Sequence, residues 1–399
     1  MNDAFYEFGR QRAHEEHDAV EWAIDEIQHR SARAGIDLSP LVEQAETTLE
    51  VIPSRHRAAF EGMADGFDVD RDVYAAFVFS FAELAQALAL ERTVAPARVG
   101  ASGSEAVSLA ESLTGEVGTE GTGEGCTNAL VSSSQAATDG PLVSKNRDIV
   151  GRGVRPVSVL EQPAMGPYHG YITVDTCGSV LLYKGVNDAG LVAANTHIAV
   201  SRDEVGPEKG VRNGTLVRRI LEECETVAEA RELVESYDPR LFTGHSLALA
   251  DESDSILLEV DPIAASIHPV TDPVVTRTNH FLETESPIPE SSDDRLERAR
   301  ALLEDAGTPL DRADLEAFAT DHEDVPGEYS ICRHAGEKAS HHAAFGQETT
   351  VSASIFEGGR TAVDAAVGYP CLDGFTRFEL GEEIPEAYRS GAHWLAYAT

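Results

Sequence analysis

The stretch GTEGTGEGCTNALVSS, residues 118–133, changes character at Cys126. Gly118 to Gly125 supplies only glycine, threonine, valine-free acidic positions and no side chain able to build a core. Cys126 then opens a run of small and β-branched residues suited to a sheet. The chain upstream of this junction reads as helix, and the chain just downstream reads as strand. The junction therefore divides the molecule.

Working upstream, HDAVEWAIDEIQHRSARAG places Val20, Ile24 and Ile27 at helical spacing, with Gly35 as a stop. SPLVEQAETTLEVIPSRHRAAFEGMADG offers Ser39 as an N-cap followed by Pro40, and its apolar face continues past Pro53. DVDRDVYAAFVFSFAELAQALAL follows with Asp70 as its cap, and a short helix is expected over SEAVSLAESLTG. The apolar stretch around Val73 to Leu90 is interrupted by Glu83 and Gln86, and its neighbours carry charge at helical spacing. It reads as a buried helix rather than a membrane span.

Working downstream, CTNALVSS, GPLVSKNRDI, RPVSVLEQP, YITVDTC and SVLLYKGVNDAGLVAANTHIAV are β-prone runs. Turn signals such as Asp139-Gly140 and Asn187-Asp188-Ala189-Gly190 separate them. Helices return at GVRNGTLVRRILEECETVAEARELVESYD. Two hairpins are expected, GHSLALADESDSILLEVDP and TTVSASIFEGGRTAVDAAVG, with helices at SDDRLERARALLEDAG and DRADLEAFATDH between them. Strands on both sides of central helices imply a layered α+β arrangement behind a helical N-terminal region, divided into residues 1–125 and 126–399.

The charge balance is 31 basic against 69 acidic residues, a formal net charge of -38, spread along the chain. Lysine occurs only at Lys145, Lys184, Lys209 and Lys338. Dispersed acidity with scarce lysine suits a salty cytoplasm, where short screening lengths temper self-repulsion. An acidic surface for a cationic partner is the other reading. Nucleic acid is disfavoured, because phosphate binding needs a basic face. The cysteines, Cys126, Cys177, Cys224, Cys332 and Cys371, are dispersed, odd in number and free of any CxxC pair, so neither a disulfide framework nor a zinc ribbon is indicated. The N-terminus lacks the apolar run of a signal peptide.

Cys126 can be a buried strand thiol or a nucleophile. A thiol reacts as thiolate, and a nearby base must take its proton. His197, His280 and His334 are available, but nothing in the sequence pairs one with Cys126. The other solution is the residue's own α-amine, which requires removal of everything before it. An α-amine titrates at about 7.7–8.0, near enough to a thiol at about 8.5 for cheap proton transfer.

The sequence GCTNALVSSSQAATDGPLVSKNRD resembles the start of the catalytic chain in the acyl-CoA:6-aminopenicillanic acid acyltransferase family, peptidase family C45 of the N-terminal-nucleophile hydrolases. The matching elements are Gly125-Cys126-Thr127, Asp139-Gly140 and Asn146-Arg147-Asp148. The likeness continues through GVNDAGLVAANTHI, TRTNHF, YSICRH and GYPCLDGFTRFEL, spanning about residues 120–380. It implies a four-layer αββα sandwich behind a helical pro-segment, and self-cleavage between Gly125 and Cys126. Cys126 would be the nucleophile and Asp148 would orient the freed α-amine. Asn279 and Asn195 would donate to the oxyanion, one such donor being worth about 2.7–4 kcal/mol. Lys145 and Arg147 depart from the family pattern and are candidates for thiolate support or for binding a substrate carboxylate; an outward salt bridge is the plainer reading of Arg147.

The activity so implied is hydrolysis or transfer of acyl groups from small-molecule amides or acyl-CoA thioesters, with no cofactor, metal, nucleic acid or membrane partner. An unprocessed, non-catalytic acidic scaffold is the competing reading. Cys332, His334, His341 and His342 in SICRHAGEKASHHAAF match no standard ligand spacing and read as a surface loop. His197 and His280 read as core histidines, and the remaining cysteines as buried thiols.

Overall fold

A computed structural model describes residues 2–81, 84, 124–150, 155–198, 200, 212–285, 288–322, 327, 329–334 and 348–398. The short helix expected over residues 104–115, the glycine-rich run up to residue 123, His341 and His342 lie outside them.

Five helices open the chain: α1 (Asn2–Glu15), α2 (His17–Ala34), α3 (Ser39–Val51), α4 (Ser54–Gly66) and α5 (Arg71–Phe79). The α2 stripe of Val20, Ala23, Ile24 and Ile27 is buried, and Gly35 ends the helix in the left-handed region at φ 69°. Asp70 caps α5 by accepting from the backbone N–H groups of Asp72 and Val73. Ser39 begins α3 instead of capping it, because Asp37 Oδ1 accepts its N–H at 3.0 Å. Pro53 interrupts the apolar face and separates α3 from α4. Helices α1 and α4 cross backbone to backbone. A Cβ on Gly9 would lie 2.1 Å from the Ala59 carbonyl oxygen, and one on Gly62 would lie 2.1 Å from that of Tyr6.

The strands are β1 (Glu124–Val131), β2 (Leu142–Val150), β3 (Val157–Gln162), β4 (Tyr171–Thr176), β5 (Lys184–Asn187), β6 (Val192–His197), β7 (His245–Ala250), β8 (Ser255–Asp261), β9 (Ser266–Val270), β10 (Val274–Arg277), β11 (Glu348–Glu357), β12 (Ala362–Ala366) and β13 (Thr376–Glu379). They form a six-stranded sheet, β10-β1-β2-β11-β12-β13, and a seven-stranded sheet, β3-β4-β5-β6-β7-β8-β9. Among the described residues, neighbouring strands within both sheets pair antiparallel. Both expected hairpins are present, as β7–β8 and β11–β12.

Strand alternation sorts the side chains into layers. Leu130, Val143 and Ile149 of the first sheet meet Val159, Val174, Val186 and Ala248 of the second in the inter-sheet core. The other face of the second sheet, with Leu247, Leu249 and Leu258, is covered by Leu216, Ile220 and Val234 of α6 (Asn213–Glu223) and α7 (Val227–Glu235). The other face of the first sheet, with Ala129, Val131 and Ile355, is covered by Leu303, Leu315 and Phe318 of α8 (Glu290–Ala306) and α9 (Arg312–Ala319). The result is the expected αββα sandwich. Short helices α10 (Pro370–Asp373), α11 (Glu386–Arg389) and α12 (Ala392–Ala398) finish the chain.

The N-terminal helices form a cluster of their own with Leu160, Cys177, Val180 and Leu181. Buried polar ties fix it to the sandwich. Arg12 donates to the Ser179 carbonyl at 2.8 Å, and Glu16 accepts from Ser158 Oγ at 2.7 Å and Gly178 N at 2.8 Å. Glu222 of α6, fully buried, accepts from Arg55, His56 and Arg218. Among the described residues no helix is long and apolar enough to cross a membrane.

Candidate active site

Register places Cys126 directly opposite Arg147, Asn128 opposite Lys145, and Gly125 opposite Asp148. Leu130, Val143 and Ile149 lie in the inter-sheet core, so alternation puts Cys126, Asn128, Lys145 and Arg147 on that same face. Gly125, Thr127, Asn146 and Asp148 belong to the helix-covered face. Cys126 is buried, with 6% of its surface exposed.

The backbone nitrogen of Cys126 is held from β10's end. It donates to Asn279 Oδ1 at 3.0 Å, and Asn279 Nδ2 in turn donates to the His197 carbonyl at 2.8 Å. Arg295, on α8 and buried, donates to Asn279 Oδ1 at 2.7 Å, to the Cys126 carbonyl at 2.7 Å and to Thr127 Oγ1 at 2.9 Å. Two donors on Oδ1 and one acceptor on Nδ2 leave a single consistent orientation for the Asn279 amide. Asn279 thus stands at Cys126 as sequence reasoning expects, but its oxygen, not its nitrogen, faces the residue. Ser292 Oγ accepts the Asn279 backbone N–H at 2.8 Å and fixes the loop.

Around the thiol the inter-sheet face is cationic. Lys145 is fully buried, and its Nζ meets no hydrogen-bond partner among the described residues. Burial pushes its ammonium below the usual lysine range, while the charge of the neighbouring Cys126 sulfur opposes that shift. The sulfur stands beside the ammonium and favours its charged form. Lys184, from β5 on the opposite sheet, reaches across to donate to Ser352 Oγ at 2.8 Å. Burial brings it down to about 7, against the attraction of Asp175. Arg147 does not point outward. It is buried, forms an ion pair with Asp175, donates to Thr176 Oγ1 at 3.0 Å and stacks 4.1 Å from the Tyr183 ring centroid.

Asp148 sits one pairing step from Cys126. Thr350 Oγ1 donates to it at 2.7 Å, and Arg333 Nη1 lies 3.8 Å away. Asn195 is not brought to this group. It pairs with Leu247, whose face is covered by α6 and α7, so its side chain lies across the second sheet from Cys126. Its amide atoms are buried without partners among the described residues. His280 is a core histidine, with Nδ1 2.8 Å from Ser292 Oγ. Cys332 and His334 are buried rather than part of a surface loop.

Arg295, Lys184, Asp175 and Ser352 escape sequence reasoning. Arg295 sits in an ordinary charged helix, SDDRLERARA, and Asp175 and Ser352 in unremarked strands. Only Lys184 carries a signal. In a chain with so few lysines, two of them are buried beside one cysteine.

The arrangement can support attack by a thiol whose peptide nitrogen is clamped and whose surroundings favour negative charge. The family model for acyl-coenzyme A:6-aminopenicillanic acid acyl-transferase matches residues 136–367. That span contains Lys145, Asp148, Lys184 and Asn279 and begins downstream of Cys126. No curated protein matches the chain. Among solved structures, penicillin V acylase from Agrobacterium tumefaciens is similar at 15% identity, covering 64% of this chain and 87% of that one, with a TM-score of 0.40. A Caenorhabditis elegans N-acylethanolamine-hydrolyzing acid amidase ortholog has 12% identity, coverage of 59% and 93%, and a TM-score of 0.41. A conjugated bile acid hydrolase variant from Clostridium perfringens has 10% identity, coverage of 65% and 94%, and a TM-score of 0.39. With more than half its length matched by the family model, the chain belongs to the acyl-coenzyme A:6-aminopenicillanic acid acyl-transferase family.

Proposed function

We propose that this chain is an autoprocessing cysteine amidohydrolase or acyltransferase of the N-terminal-nucleophile type, acting through a Cys126 acyl-enzyme. The observation that carries the reading is the treatment of one residue from both ends. The Cys126 nitrogen and carbonyl are held by Asn279 and Arg295, while its side chain enters a buried face with Lys145.

In self-cleavage, Cys126 Sγ attacks the Gly125 carbonyl carbon. The C–S bond forms as the Gly125–Cys126 C–N bond breaks, and the thiol proton passes to the departing nitrogen. Water then hydrolyses the thioester, returning the thiol and leaving Gly125 as a carboxylate. The freed α-amine becomes the base for later turnovers. Asn279 Oδ1 already accepts an N–H from that nitrogen, and Asp148, paired with Gly125, supplies the nearby carboxylate.

In turnover, the thiolate attacks an amide or thioester carbonyl. The α-amine receives the thiol proton and returns it to the leaving group, and the acyl group rests on Sγ. Water then yields a carboxylic acid, or an amine acceptor yields a new amide. Lys145, buried with an uncommitted Nζ, is the cation closest in role to an oxyanion or carboxylate partner. The family description pairs an acyl thioester with an amine, so both acyl-amide and acyl-CoA substrates belong in the test. The dispersed acidity fits a salt-adapted cytoplasm.

The testing experiment offers acyl-amides and acyl-CoA thioesters to the processed protein and digests the quenched mixture. An acyl mass on the Cys126 peptide, absent from Cys126→Ala, is the expected result. Turnover without any adduct, persisting in Cys126→Ala, contradicts the assignment.

A further inference from the structure

Away from Cys126, four side chains of metal-ligand type converge: His322, just after α9, Cys332 and His334 in the following segment, and Cys371 in α10. Their ligand atoms all lie within 4.8 Å of one another. His334 Nε2 is 3.1 Å from His322 Nε2 and 3.2 Å from Cys371 Sγ. The imidazole rings meet edge to face, with centroids 4.9 Å apart and planes at 84°.

Zinc bonds of about 2.0–2.1 Å to nitrogen and 2.3 Å to sulfur give a tetrahedron with edges of about 3.3–3.8 Å. The observed separations are within a few tenths of an ångström of the nitrogen–nitrogen and nitrogen–sulfur edges. Two nitrogens and a sulfur directed at the same small volume, with a second sulfur beside them, make an S2N2 set, whose preference is for zinc. Cys332 and His334 are buried, and His322 and Cys371 are half-buried, so a bound ion would be largely withheld from water.

The supporting shell is also in place. Tyr369 packs on His334 with ring centroids 4.5 Å apart. Asp321, beside His322, accepts the Cys332 N–H through its carbonyl at 3.0 Å and pairs its carboxylate with Arg298 at 2.7 Å. Such partners orient ligands around a metal.

We propose that His322, Cys332, His334 and Cys371 form a structural zinc site, independent of the chemistry at Cys126. The site ties the segment after α9 to the turn after β12. Between its two central ligands lies Arg333, whose guanidinium faces Asp148 and whose backbone exchanges hydrogen bonds with Thr350, both at 2.8 Å. Zinc therefore pins the backbone that supports Asp148.

The test uses the full chain, stripped by chelator and reductant in the salt that keeps it folded, and titrated with Zn2+ alone and Co2+ alone. One equivalent of either ion is expected. Cobalt should give intense visible bands of tetrahedral coordination and a near-ultraviolet sulfur-to-cobalt charge-transfer band, both bleached by zinc. His322→Ala and Cys371→Ser should each weaken zinc binding by more than the roughly 10–100-fold that supporting residues cost. Because the wild-type titration stands alone, the inference remains testable if a variant fails to fold. Absence of stoichiometric binding would overturn it. So would cobalt spectra without thiolate character, variants that bind as wild type does, or a Cys332–Cys371 disulfide in the protein as isolated.

Discussion

The side-chain oxygen of Asn279 accepts the backbone N–H of Cys126 at 3.0 Å, although the two residues are 153 positions apart in the chain. Arg295 donates to the Cys126 carbonyl and to Asn279 Oδ1, so three elements meet around the Cys126 backbone, with Asn279 alone of the two on its nitrogen. In the proposed reaction that nitrogen is first a leaving group and then a base. Removing its support should displace it, and a misplacement of about 1 Å can cost about 10²-fold in rate. Asn279→Ala should therefore slow self-cleavage by about that factor, measured as the half-time for appearance of the two fragments on a denaturing gel. Unchanged processing would remove Asn279 from the mechanism.

Lys184 provides a pH signature. Its folded value, about 7, lies below the ordinary lysine value of 10.5, because burial outweighs the attraction of Asp175. Folding thus favours the neutral amine, and the stability tied to this group rises with pH between about 7 and 10.5. For activity, the cation beside Cys126 is lost as pH rises through about 7. The pH–rate profile should show an inflection there that Lys184→Met removes. An identical profile in the variant would contradict this role.

Acid should destabilise the fold at two buried histidines, His56 at the seam between the N-terminal helices and the sandwich and His245 in β7. Burial lowers His56, which contacts Glu222, to about 4, and lowers His245, whose Nδ1 lies 2.6 Å from the Thr243 carbonyl, to about 4. Between an ordinary 6.5 and about 4 the unfolded chain binds protons that the folded chain refuses. Stability is then lost as pH falls through that window. The Tm at pH 5 should lie below that at pH 7 at constant salt, and the difference should shrink in His56→Gln.

The Arg147–Asp175 pair is buried on both sides, with 2% and 3% of the side chains exposed. Removing one partner leaves a charge in the core, which typically costs about 3–5 kcal/mol. Asp175→Ala should lose stability on that scale in denaturant titration. Recovery in Arg147→Met/Asp175→Leu would assign the loss to the stranded guanidinium rather than to packing.

These relations also show how far the sequence could be read. Period and punctuation marked α2, the α3–α4 stretch as one apolar face, α5 and both hairpins, because Val20, Ile24 and Ile27, or Leu247 and Leu249, carry their burial in their spacing. The αββα sandwich, by contrast, followed from the family resemblance, and α1 was not delimited. Cys126 and Asn279 were visible in short motifs. Arg295 was not, because its partners come from β1 and the loop after β10, and helical spacing says nothing about either. The face of Asn195 depended on register with Leu247, and one residue of slip would reverse it. His322 and Cys371 approach Cys332 and His334 only through tertiary packing, so a linear search for ligand spacing could not assemble them.

The most direct measurement is the intact mass of the purified protein, wild type beside Cys126→Ala, both kept in high salt. Wild type should yield two chains, residues 1–125 and 126–399, with a free α-amine on Cys126, while the variant remains a single chain. A folded wild type that persists as one chain under the same conditions would contradict self-cleavage at Gly125–Cys126. It would leave either an unprocessed scaffold or an enzyme whose thiol takes its base from elsewhere.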